Sequence, residues 1–310
     1  MTRLRRLATV SVVITYLHLV FGGLVRITGS GMGCGDHWPK CNGSWIPPFD
    51  NATVMIEYTH RLLAALVVTV IAALTYAAWR RRADPDIAGP RGVLGAARTA
   101  LVLVIAVALL GLVTVKLGNR TLATVAHWTL AMALLAVVVV AAVRTGALGG
   151  TAARAQGGSA RTVNSLAAGA AMAFLAVVLG GLVAKTPGAA VACPGFPLCG
   201  DAPAGVPSGS GHLQLTHRIV AYLLFFHVLG ITMALMRRAG EAESVKRAAR
   251  TAAALVLIQL GVAAAMVLSM LPAALRSLHQ AIGVAVWLTL FLGAYLARTA
   301  ATADRAVSAT

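Results

Sequence analysis

Glu57-Tyr58-Thr59-His60-Arg61-Leu62 and, further along the chain, Gln214-Leu215-Thr216-His217-Arg218-Ile219 are two versions of one phrase. Each sets a His-Arg pair at the entrance to a long apolar run. An ionisable residue at the rim of such a run is costly and marks a site by default. Working outward, Gly22-Gly23-Leu24-Val25 recurs as Gly180-Gly181-Leu182-Val183, and Cys41 recurs as Cys199, both at an offset of 158. His60 and His217 are 157 apart, and His127 and His279 are 152 apart. The chain therefore reads as a tandem duplication. Each half runs helix, cysteine loop, helix opening on His, helix, helix opening on His.

Composition sets the class. Of the 310 residues, 59% are hydrophobic and 11% charged, far too apolar for a soluble domain of this length. Crossing a bilayer takes about 20 mostly apolar residues. Eight stretches qualify: 8–26, 60–79, 93–115, 122–143, 164–184, 216–236, 250–270 and 277–297. All eight are expected as helices, because backbone groups in lipid must be satisfied within the segment. The first follows Arg3, Arg5 and Arg6 like a signal peptide. It lacks a small-residue cleavage site, so it is expected to stay as a helix. The fold class that follows is an all-α membrane protein of eight transmembrane helices in two tandem, pseudo-symmetric four-helix bundles. Residues 1–144 form the first bundle, the Gly/Ala/Ser/Thr-rich stretch 145–163 a cytoplasmic linker, and 164–310 the second.

The net charge of +17 would suggest nucleic acid in a soluble protein. Here it is a topology signal. With eight spans both termini share a side; that side carries 18 of the 26 Lys and Arg, Arg305 among them, and the other side 8. The positive-inside rule places the termini in the cytoplasm of a cell-membrane protein, with lipid headgroups and not nucleic acid as partners of the basic loops. The loops 27–59 and 185–215 are then extracytoplasmic. They hold all four cysteines, as the close pairs Cys34/Cys41 and Cys193/Cys199, on the side where disulfides persist.

His60, His127, His217 and His279 all fall at the outer end of an even-numbered span. Two imidazoles at one depth on facing helices suit axial ligation of a haem iron. Zinc would want three or four ligands, which nothing nearby supplies. His18 and His227 have no counterpart in the repeat and read as packing residues; His37 and His212 lie in loops. Arg61 and Arg218 are candidates for a haem propionate, with an arginine snorkelling to the interface as the equal alternative. Glu57 shares a helix face with His60, and its counterpart is Gln214. A carboxylate in one half and an amide in the other suggest different tasks, proton transfer among them, although a carboxylate favoured by the helix dipole would look the same. Cys34/Cys41 has the richer setting for redox chemistry, and Cys193/Cys199 reads as a brace.

These residues together resemble a known family. Gly29-Ser30-Gly31-Met32-Gly33-Cys34, Asp36-His37-Trp38-Pro39-Lys40-Cys41 and Glu57-Tyr58-Thr59-His60-Arg61 are similar to the haem A synthases. So are Cys193-Pro194, Pro197-Leu198-Cys199 and Thr216-His217-Arg218. The likeness runs from the first span to the last and points to the bacterial type with two extracytoplasmic cysteine pairs. It implies an oxidoreductase that converts the C8 methyl of haem O to a formyl group by successive hydroxylation, giving haem A for terminal oxidases. It implies haem b as cofactor on His217 and His279 with Arg218 nearby, and substrate haem O on His60 and His127 with Arg61 nearby. It implies catalytic roles for Glu57, Cys34 and Cys41. Haem O synthase, oxidase assembly factors and an electron-transfer protein are the partners it suggests. The rival class is a di-haem cytochrome b that only passes electrons. Such a carrier usually holds haems at two depths, whereas all four histidines here lie toward one side.

Overall fold

The computed structural model describes the backbone of residues 1–201 and 203–307, and their side chains except at 208 and 303–307. The Arg305 side chain and residues 308–310 of the second half lie outside that description. Eight long helices dominate: α1 Thr2–Ile27, α2 Ala52–Trp79, α3 Val93–Lys116, α4 Thr121–Arg144, α5 Ala160–Lys185, α6 Ser208–Met236, α7 Glu243–Leu268 and α8 Ala273–Val307. Each is long and apolar enough to cross a membrane. Among the described residues there is no strand, only an isolated bridge between Cys41 and Ser44. The protein is a multi-pass, all-α membrane protein.

The apolar runs mark the helices but not their starts. α2 begins at Ala52, eight residues before His60, and α6 begins at Ser208, nine before His217. In α2 the run Glu57-Tyr58-Thr59 separates Val54, Met55 and Ile56 from the apolar stretch after His60, and α6 opens on the small and polar Ser208-Gly209-Ser210-Gly211-His212. Asn51 starts α2 as an N-cap, its Oδ1 accepting from the Thr53 and Val54 amides. Ser159 does the same for α5 through the Thr162 amide. The histidines of α2 and α6 therefore sit more than two turns inside their helices.

The chain divides into two compact units, Met1–Leu148 and Gly149–Thr310. In the first, α1 adjoins α2 and α4, and α3 adjoins the same two, so α2 and α4 stand at opposite corners of a four-helix ring. In the second, α5 and α7 each adjoin α6 and α8, and α6 and α8 take the opposite corners. Leu4, Ile71, Leu74, Leu135 and Val138 pack the first core; Leu166, Val228, Leu290 and Leu296 pack the second. Outward-facing apolar residues such as Val102 and Phe226 are exposed, as lipid-facing positions are. In hydrocarbon a side-chain hydrogen bond between helices contributes about 0.6 kcal/mol. Each unit has the same one: Thr75 Oγ1 donates to the Ala97 carbonyl at 3.0 Å, and Thr232 Oγ1 to the Ala249 carbonyl at 3.2 Å. Those residues are related by the repeat offsets of 157 and 152, so the duplication extends to individual contacts.

Candidate paired imidazole sites

In the first unit, His60 on α2 and His127 on α4 come from opposite corners of the ring and lie within electrostatic reach of each other. Each ring rests on a glycine of a neighbouring helix. A Cβ added at Gly22 would stand 3.1 Å from His60 Cε1, and one at Gly111 would stand 3.1 Å from His127 Cε1. Any larger residue would push the imidazole away. His18 is the surprise: its ring stacks on His60, with centroids 4.3 Å apart and planes 14° apart. Repetition could not reveal it, because the second unit has Ala176 there. One signal was available: His18 lies one helical turn before Gly22 and so shares its face.

The second unit repeats the arrangement with different anchoring. His217 on α6 and His279 on α8 again occupy opposite corners within electrostatic reach. Gly180 lies under His217 as Gly22 does under His60, its added Cβ 3.1 Å from Cε1. His217 Nδ1 is 3.0 Å from the Ala176 carbonyl oxygen, and the Gln259 amide nitrogen is 3.0 Å from His279 Nδ1. The Gln259 amide also donates to the His279 carbonyl at 3.0 Å. Its counterpart at the 152 offset is Val107, so this polar neighbour too is missing from the first unit. His227, by contrast, bonds the Ser165 carbonyl at 3.0 Å on its own helix pair, as a packing histidine would.

Above the imidazoles lie the cysteine loops, each closed by a disulfide: Cys34–Cys41 with Cα atoms 4.4 Å apart and Cys193–Cys199 with Cα atoms 4.3 Å apart. The arginine after each histidine holds the loop. Arg61 donates to the carbonyls of His37 at 2.7 Å and Lys40 at 2.8 Å. Arg218 donates to those of Cys193 at 2.6 Å, Gly195 at 2.7 Å and Leu198 at 3.0 Å. Both guanidiniums thus join the imidazole-bearing helix to the loop. Glu57 adds a second tie in the first unit only. It is 3% exposed, its Oε1 accepts from Arg61 at 2.6 Å, and its Oε2 accepts from the Cys34 amide at 2.8 Å. In the second unit Gln214 is buried with Oε1 lacking a hydrogen-bond partner. The first loop also reaches the α3–α4 turn. Asn119 donates to the Gly31 carbonyl at 2.7 Å, and Lys116 pairs with Asp36 at 3.4 Å. That hydrogen bond and the Lys116 charge, with His37 beside it, hold the Asp36 carboxyl below the usual aspartate range.

Among the described residues no group of three or more His, Cys, Asp or Glu could hold a bare metal ion. Two imidazoles from opposite corners suit instead a metal that arrives with four ligands of its own, as in haem. The Ala176 carbonyl on His217 Nδ1 fits this, since it leaves Nε2 for iron.

Fold and site together define a duplicated helical membrane protein in which each bundle presents two imidazoles from opposite corners under a disulfide-closed loop. The chain belongs to the COX15-CtaA family, described as cytochrome oxidase assembly protein, whose model matches residues 5–291. A Heme A synthase of Lysinibacillus sphaericus is 30% identical over 220 residues, 70% of this chain and 69% of that one. A Heme A synthase of Geobacillus kaustophilus is 27% identical over 210 residues, 68% of this chain and 65% of that one. A Protoheme IX farnesyltransferase of Thermus thermophilus is 47% identical over 66 residues, covering 21% of this chain and 10% of its own length.

Proposed function

We propose that this protein is a haem A synthase that oxidises the C8 methyl of haem O to a formyl group through successive hydroxylations, the gem-diol then losing water. The names of its relatives support the reaction. The observation that carries the division of labour is the contrast between Glu57 and Gln214 in otherwise equivalent positions. Residues 1–144 hold haem O between His60 and His127, and residues 164–310 hold haem b between His217 and His279. A bound haem b would supply one-electron redox capacity. The loops and imidazoles face the extracytoplasmic side and both termini the cytoplasm, as the basic residues favour.

The chain's own groups do the following. The imidazoles set the depth of each porphyrin. Arg61 and Arg218 keep the loops down over the bundles, which excludes water and leaves their remaining donors for propionates. Glu57 is an acceptor-only group when ionised, and its carboxylate has lone pairs beyond the two already engaged. A buried carboxylate one helical turn from His60 is placed to hold or move a proton beside the substrate. The Cys34–Cys41 disulfide presents the Cys34 amide to Glu57 and so fixes its orientation. The farnesyl tail lies along apolar helix surfaces, and a haem farnesyltransferase is the class of enzyme that supplies the substrate. The likeness to the Thermus thermophilus protein favours such a neighbour.

The test is conversion of haem O by membranes carrying Glu57→Gln, followed by extraction and mass analysis of the haems. Loss of haem A with the haem of the second unit retained supports the reading. Haem A at the wild-type level would remove Glu57 from the reaction, and haem b at both sites with no conversion would support the electron carrier.

A further inference from the structure

The histidines of α2 and α6 meet the preceding helix in the same way, over Gly22 and over Gly180, yet they are held differently. The difference lies one turn earlier, at His18 in the first unit and Ala176 in the second. In the second unit the His217 Nδ1 is 3.0 Å from the Ala176 carbonyl oxygen. In the first, the His18 ring lies flat on His60, with Phe21 also near-parallel to His60 at 6.4 Å. Neither His60 Nδ1 nor His18 Nδ1 then has a hydrogen-bond partner, although both are buried. At the other corner the Gln259 amide nitrogen lies 3.0 Å from His279 Nδ1, and Val107 stands at the equivalent position in the first unit.

A metal-bound imidazole that donates its far N–H to a carbonyl is fixed in orientation and made more basic. Removing such a partner typically lowers metal affinity by about 10- to 100-fold. Stacking fixes the plane of a ring but lets it slide within that plane, and it adds nothing to ligand basicity. A resident cofactor needs the first kind of hold. A haem that enters and leaves with each turnover needs the second.

We infer that His18 is a positioning residue that stacks on His60 in place of the backbone anchor, so that the first unit holds its haem by an imidazole able to let go. This rests on the reading of the first unit as the substrate site, and it gives that site a physical basis for exchange. The second unit, with the Ala176 carbonyl on His217 Nδ1, is the retaining version of the same cage.

The experiment uses the purified full-length chain loaded with iron protoporphyrin IX and follows haem transfer to excess apo-myoglobin by absorbance. His60→Ala and His217→Ala variants assign the phases. The wild type shows a fast His60-dependent phase and a slow His217-dependent phase. In His18→Ala, His60 gains the carbonyl, so the fast phase slows by about tenfold. The low-spin electron paramagnetic resonance signal of that haem moves toward that of the second unit. The slow phase stays unchanged, which shows that the fold is intact. An unchanged or faster first phase with an intact slow phase overturns the inference. If His18→Ala loses both phases, Ala176→His decides: a quickened slow phase supports the inference and an unchanged one overturns it. A wild type with no His60-dependent phase overturns the substrate-site reading itself and the inference with it.

Discussion

The two units are built from one plan and differ at a handful of side chains. Both have imidazoles at opposite corners, a glycine under the second helix's histidine, an arginine holding a disulfide loop and a threonine bond between neighbouring helices. The first unit adds a buried carboxylate at Glu57 and a stacked imidazole at His18; the second has Gln214 and Ala176 there and adds Gln259. On the proposed function, the shared features would cage a porphyrin in each unit and the differing ones would set its fate.

The largest expected effect comes from making the units alike at the carboxylate. Glu57→Gln is expected to lower haem A yield by at least about 100-fold, within the range of a lost general base, while Gln214→Glu leaves the yield near wild type. Mass analysis of extracted haems reads both. Next is the glycine under each ring. Gly180→Ala places a Cβ against His217 Cε1 and is expected to perturb the optical spectrum of the second unit's haem; Gly22→Ala acts only on the first. Equal effects of either substitution on both spectra would break the comparison.

Smaller effects concern the loops. Each charge-assisted hydrogen bond contributes about 1.5–3 kcal/mol. Arg218→Ala removes three of 3.0 Å or less, and Arg61→Ala also leaves Glu57 buried without its cation. Both are expected to raise amide exchange across their own loop, Arg61→Ala over 33–41 and Arg218→Ala over 193–199. Acid should loosen the first loop alone. Asp36 has a depressed folded pKa, so its contribution is present above the ordinary aspartate value and is lost as pH falls through the folded one. Lys116→Met should abolish that acid-dependent rise in exchange. The smallest effects are Thr75→Val and Thr232→Val, about 0.6 kcal/mol each by denaturant unfolding in detergent.

The spans, the duplication, the cysteine pairing and the four principal histidines were legible because length, apolarity and repetition announce them. The starts of α2 and α6 were not, because Glu57-Tyr58-Thr59 and the small, polar opening of α6 interrupt hydropathy before each histidine, and the start of α2 is signalled by a cap, Asn51. The engagement of Arg61 could not be read either. Its acceptors lie more than 20 residues away in a loop whose path only the folded backbone defines. His18 was hidden by the method that found the others, since repetition reveals what the halves share and conceals what sets them apart.

The haem content of each unit is the most direct test. Wild type, His60→Ala and His217→Ala chains would be isolated from membranes that make haem O, and the noncovalent haems extracted and weighed. The account predicts haem b together with haem O or its oxidised forms in the wild type. It predicts selective loss of the farnesylated haems in His60→Ala and of haem b in His217→Ala. The opposite assignment, or the same haem lost from both variants, would contradict it.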